Sequence, residues 1–83
     1  MAHTYILYSK EKNAYYVGAT DQLEERLKKH NSKHAGFTGS VNDWIIVFQL
    51  FFETIQESKQ FELKIKKWKS RKMIEKLIES NTN

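Results

Sequence analysis

Cysteine and proline are absent from this 83-residue chain, and glycine occurs only three times. Without cysteine, neither a disulfide framework nor a cysteine-ligated zinc can brace so small a fold. Its apolar core must suffice alone, in one domain over residues 1–83 that buries roughly 60% of the surface its unfolded chain exposes. Long hydrophobic runs are also missing. "WIIV" with "LFF" close behind is too short to span a bilayer, and no signal-peptide pattern opens the chain. The expectation is a soluble cytoplasmic protein with no membrane partner. Hydrophobic residues at 40% against 29% charged exclude disorder except at the ends, so a flexible tail is expected only at about 80–83.

What is present is unevenly spread. The formal charge is +4, and eight of the fourteen Lys and Arg fall between Lys59 and Lys76. Such a stretch fits either a solvated helical face or a polyanionic partner.

"TYILYS" (Thr4 to Ser9) and "AYYVGA" (Ala14 to Ala19) are rich in aromatic and β-branched residues around the polar "KEKN", the pattern of a β-hairpin. Alternation places Tyr5 and Tyr16 on strand faces where they can be cross-strand neighbours. Asp21 with Glu24 has the spacing of a helix cap and predicts a helix from about Asp21 to His30. Glu24 with Lys28 and Glu25 with Lys29 are i,i+4 pairs that mark its wet face. Ser32 to Asp43 reads as a loop. "WIIVFQLFFE" (Trp44 to Glu53) predicts a third strand, buried on both faces and packed between helices. Thr54 and Glu57 form a second capping signal before a long helix carrying Ile55, Phe61, Ile65 and Trp68, and Ser70 caps a short third helix. The order ββαβαα defines a single α+β domain.

Three polar residues break the apolar stripes. Leu23, Arg26, Leu27 and His30 stand at i, i+3, i+4 and i+7, so a guanidinium and an imidazole share the inward side of the first helix. Arg26 must snorkel to solvent, be paired or hydrogen-bonded within the protein, or open into a groove where an anion can meet it. His30 either complements the helix dipole or joins Arg26 on a phosphate. Glu62 falls in line with Ile55, Ser58 and Ile65, where it either pairs with Arg26 or a nearby Lys, or holds a hydrated Mg²⁺. Tyr5, Tyr8, Tyr15 and Tyr16 are core or sheet residues by default. A phenol with a pKa near 10 can act as a base only beside cations or through a relay.

Taken together, "TYILYS", "YYVGAT", "LEERLKKHN" and "FELKIKKWKSRK" resemble the GIY-YIG nuclease domain family in its small stand-alone bacterial form, similar to the N-terminal nuclease domain of the excinuclease C subunit. The first signature stands here as "HTY", keeping only its tyrosine, Tyr5. The second is "YVG", Tyr16 to Gly18.

The resemblance implies a small three-stranded antiparallel sheet flanked by helices, and Mg²⁺-dependent hydrolysis of a DNA phosphodiester, with Mn²⁺ as a substitute ion. By position it implies Tyr5 as general base or relay and Tyr16 as positioning the water or phosphate. Arg26 would stabilise charge on the scissile phosphate, His30 orient or exchange a proton, and Glu62 hold the metal. Gly18 would permit close backbone approach; Thr38, Lys66 and Lys69, to which the resemblance gives no role, are candidates for substrate contact in place of a family Asn. Some members carry an Asn near the position of Ile74, where this chain has none.

The expected function is an endonuclease of DNA repair or processing, structure-selective or weakly sequence-specific, acting on branched or damaged DNA as a monomer or weak dimer. The alternative is a nucleic-acid-binding domain of the same fold that does not cut, and RNA stays open as a partner.

Overall fold

The computed structural model describes residues 1–32 and 36–81. Strand β1 (Ala2–Ser9) is the centre of a three-stranded antiparallel sheet of order β2-β1-β3, with β2 spanning Ala14–Thr20 and β3 Ile45–Phe52. Helix α1 (Leu23–His30) follows β2, and α2 (Ile55–Trp68) and α3 (Arg71–Ser80) follow β3. The ββαβαα, α+β architecture is the expected one. A short 3₁₀ turn at Phe37–Ser40 interrupts the expected loop, of which residues 33–35 lie outside those described. Of the expected tail at 80–83, Ser80 closes α3 and residues 82–83 lie outside those described.

The sheet separates two apolar clusters because side chains alternate along its strands. Ile6, Val17, Phe48 and Ile65 form one, over which Phe61, Trp68, Ile74, Leu77 and Ile78 of α2 and α3 pack. Tyr5, Leu7 and Trp44 form the other, against Leu23 and Leu27 of α1. Thr4 Oγ1 donates to the Ser58 carbonyl at 2.7 Å, tying the start of α2 to the central strand.

The strand buried between helices is therefore β1, not β3. Tyr5, Ile6 and Leu7 have no exposed surface, whereas Ile45, Leu50 and Phe51 of β3 are 57%, 39% and 51% exposed. An unbroken apolar run can be a central strand or an edge, and strand order, which has no local signature, decides which. A bulge in β3 between the partners of Ile6 and Leu7 lets Phe48 face one cluster and Ile46 the other.

Two of the three helix starts follow the expected capping. Thr54 Oγ1 accepts from the Glu57 amide and Ser70 Oγ from the Met73 amide. Asp21 does not cap α1. Thr20 Oγ1 accepts from the Gln22 amide at 3.0 Å, and the helix starts at Leu23. This local turn bends the chain at Asp21 and leaves the helix to begin at Leu23. Glu24, Glu25, Lys28 and Lys29 are all exposed as expected, yet neither of their i,i+4 pairs closes. The ion pairs among the described residues are Glu62–Lys66 and Arg71–Glu75. No helix among the described residues is long and apolar enough to cross a membrane.

Candidate active site

Register decides how the tyrosines meet. Tyr5 lies opposite Gly18 and Leu7 opposite Tyr16, so the two tyrosines are diagonal rather than direct partners, with ring centroids 6.4 Å apart. The Tyr5 ring lies over Gly18. A methyl group at Gly18 would stand 2.5 Å from Tyr5 Oη and 2.6 Å from Cζ. Gly18 is thus the room that Tyr5 occupies, and its direct effect is on this phenol.

Helix α1 brings His30 onto the same spot. Tyr5 Oη and His30 Nε2 share a hydrogen bond of 2.9 Å, and His30 Nδ1 and Thr38 Oγ1 share one of 3.0 Å. The imidazole is 7% exposed and stacks at an angle on Tyr16, 4.7 Å between centroids. Thr38, expected at the substrate, is 4% exposed and turned inward. It orients the imidazole by occupying its second nitrogen.

Sequence reasoning missed the residues that fix this loop. Asn31 Nδ2 donates to the Trp44 carbonyl at 3.0 Å, and the Trp44 amide donates back to Asn31 Oδ1 at 2.8 Å. Trp44 Nε1 donates to the Thr38 carbonyl at 3.0 Å. An Asn closing a helix and a lone Trp before a strand were the available signals, since a buried indole N–H requires an acceptor. The resulting chain of contacts runs from the strand through Thr38 to His30 and Tyr5.

Arg26 is half-buried on the same side of α1, and its Nε is buried with no hydrogen-bond partner among the described residues. A buried guanidinium N–H without an acceptor costs stability and suits an anion that arrives from outside. Glu62 comes from α2, and its side chain is 18% exposed. Its Oε2 lies 2.6 Å from Lys66 Nζ, which itself stands 5.9 Å from the centre of the Tyr16 ring. Lys66 and Lys69 are exposed, and Lys69 ends α2 in a left-handed backbone conformation with φ 49°. Ile74 packs in the apolar cluster across the sheet and replaces nothing in the site.

Burial raises the Tyr5 phenol above its ordinary 10.0. The adjoining Arg26 guanidinium opposes this rise, while Tyr16 and Glu62 add to it. Tyr5 therefore stays protonated at neutral pH. With no exposed surface, it is a buried proton carrier beneath the site. Tyr16, half-exposed and without a hydroxyl partner among the described residues, is the phenol that solvent reaches.

This shift has a measurable sign. Below pH 10 both folded and unfolded chains keep the Tyr5 proton. Above it the unfolded chain releases the proton first, so stability falls as pH rises through the folded value. Thermal unfolding between about pH 9 and 11 is expected to show this fall, and Tyr5→Phe to make it shallower, the Tyr15 phenol, raised by burial and by Glu75, keeping a share of it.

The GIY-YIG catalytic domain family model matches residues 1–76. Among solved structures, the chain is similar to a UPF0213 protein from Bacillus halodurans, determined in solution by NMR. The match has 30% identity and a TM-score of 0.62, covering 98% of this chain and 86% of that one. No curated protein matches the sequence.

Proposed function

The chain belongs to the GIY-YIG catalytic-domain family, a nuclease-type domain, and from this we propose that it is a Mg²⁺-dependent endonuclease hydrolysing phosphodiesters of DNA. The observation that supports the reading best is the buried, unpartnered Arg26 Nε beside the Tyr5–His30 pair. It is a cation held ready for a phosphate that the protein does not itself supply.

A fit for the ion is tested by the donors present. Mg²⁺ takes oxygen ligands and keeps several waters, so one carboxylate plus substrate phosphate oxygens is sufficient. Glu62 is a partly exposed carboxylate within electrostatic reach of Tyr5. No group of three or more His, Asp or Glu converges among the described residues, so Glu62 would hold the ion with water and substrate. When bound, the metal would polarise a phosphoryl oxygen and lower the pKa of a bound water.

The chain's own residues then divide the work. Arg26 meets the phosphate and stabilises the charge that develops on its oxygens. Tyr16 contacts the attacking water at the surface of the site. As the attacking water's proton is taken up at Tyr5 Oη, Tyr5 hands its own proton to His30 Nε2, whose Nδ1 faces Thr38, and a proton returns by the same relay to the departing oxygen. Lys66 leaves Glu62 to meet the DNA backbone, and Lys69 adds a second phosphate contact. The substrate is branched or damaged DNA in cytoplasmic repair or processing.

The test is nicking of plasmid and branched DNA by the purified protein with Mg²⁺, abolished by a chelator. The departure of "HTY" from the family signature favours a second reading, a domain that binds nucleic acid without cutting. Salt-dependent binding in fluorescence anisotropy, with no product in Mg²⁺ or Mn²⁺, would establish it in place of the first.

A further inference from the structure

We propose that two copies of the chain pair through the free edge of β3, in antiparallel register across Leu50, to form one six-stranded sheet. The outer edge of β3 has no partner strand among the described residues. Natural sheets protect such edges with charges, proline or bulges. The segment "IIVFQLFF" contains neither a charge nor a proline. Its bulge lies before Phe48, which leaves the run Phe48–Phe52 regular.

The opposite edge is different. Over β2, Lys66 Nζ lies 5.9 Å from the centre of the Tyr16 ring and the Arg71 guanidinium 5.1 Å from that of Tyr15. The basic helix α2 lies mainly over β2 and β1. The basic side chains Lys66 and Arg71 are therefore gathered over β2, and although Glu24 and Glu25 of α1 lie near Gln49, the edge of β3 itself presents only backbone donors, acceptors and uncharged side chains.

A second copy fits this edge by symmetry. With Leu50 opposite Leu50 of the other copy, Phe48 falls opposite Phe52, and Gln49 opposite Phe51. One face of the junction is then wholly apolar, from side chains of which Leu50 is 39% exposed in the single chain. The amphipathic pair Gln49 and Phe51 lies on the α1 face, where Phe51 already meets His3 edge-on at 5.7 Å. Nucleic acid offers no match to an uncharged strand edge, because its backbone is anionic throughout.

A two-fold axis relating antiparallel edge strands stands perpendicular to the sheet, so both α1 faces lie on the same side. The two Tyr5 residues are then separated by three strand spacings, about 14 Å across the sheet. Two sites facing one way can address both strands of a single duplex. This consequence rests on the nuclease reading, whereas the pairing does not. A dimer that cuts nothing would count against the former alone.

The experiment is light scattering of the full chain after size exclusion, at high salt to remove nucleic-acid bridging and at concentrations up to about 1 mM. The expected mass is twice the 9.9 kDa of one chain. Leu50→Lys is expected to halve it with an unchanged circular dichroism spectrum, and Leu63→Lys, on the exposed face of α2, to leave it doubled. Because the chain has no cysteine, Leu50→Cys gives a single thiol, placed about 5 Å from its mate between Cβ atoms. It should cross-link at least about tenfold faster than Leu63→Cys, because a small closing of the strand pair brings the Leu50 thiols within disulfide geometry while the Leu63 thiols meet only by chance collision. A single-chain mass throughout, a doubled mass that survives Leu50→Lys, or equal cross-linking rates would each overturn the proposal.

Discussion

Arg26→Ala is expected to lower DNA cleavage by about 10²–10³-fold, the usual loss when one donor to a developing oxyanion is removed. The same substitution should not lower the melting temperature. Half-buried arginines stabilise mostly through their partners; the Arg26 guanidinium meets the Tyr5 phenol, but its Nε is buried with no partner among the described residues. Removing it relieves an unsatisfied donor while leaving Leu23 and Leu27 to seat α1 on Tyr5 and Leu7. Single-turnover cleavage and thermal unfolding on the same preparation check both halves. A large loss of stability would show that Arg26 is a packing residue, and unchanged cleavage would remove it from the proposed chemistry.

Gly18→Ala is expected to act in the opposite pattern, costing stability and activity together. The added methyl would stand 2.5 Å from Tyr5 Oη, inside any permissible contact. The phenol cannot simply swing aside, because Tyr5 has no exposed surface and its hydroxyl is bonded to His30 at 2.9 Å. Overpacking of this kind costs about 1–3 kcal/mol. A displacement of about 1 Å in a catalytic group lowers the rate by about 10²-fold. Chemical denaturation measures the first and cleavage the second. Wild-type activity in Gly18→Ala would mean that the Tyr5–His30 geometry is not what the site depends on.

The element order was legible because it is written locally. Alternating aromatic and β-branched residues, the Thr54 and Ser70 caps, and the i, i+3, i+4, i+7 stripe of α1 each act within a few residues. Where two local signals competed, the weaker could win, as when Thr20 rather than Asp21 set the start of α1. The stripe also identified Arg26 and His30 as inward-facing, since helix periodicity alone decides which residues share a side.

What sequence by itself determined, then, was the set of elements, the absence of any cysteine-based brace, and a list of residues out of place on apolar stripes. Tertiary structure alone decided that β1 and not β3 is central, that Thr38 holds His30, and that Tyr5 is sealed while Tyr16 is open. It also assigned Asn31 and Trp44 to the support of that loop. The physical reason is that strand order, register and hydrogen bonds between distant residues depend on how the faces are shared out when the chain closes. Ile6 and Trp44 look equally apolar in a list of residues. Only the closed sheet makes one the middle of a core and the other the donor that holds Thr38 against the imidazole.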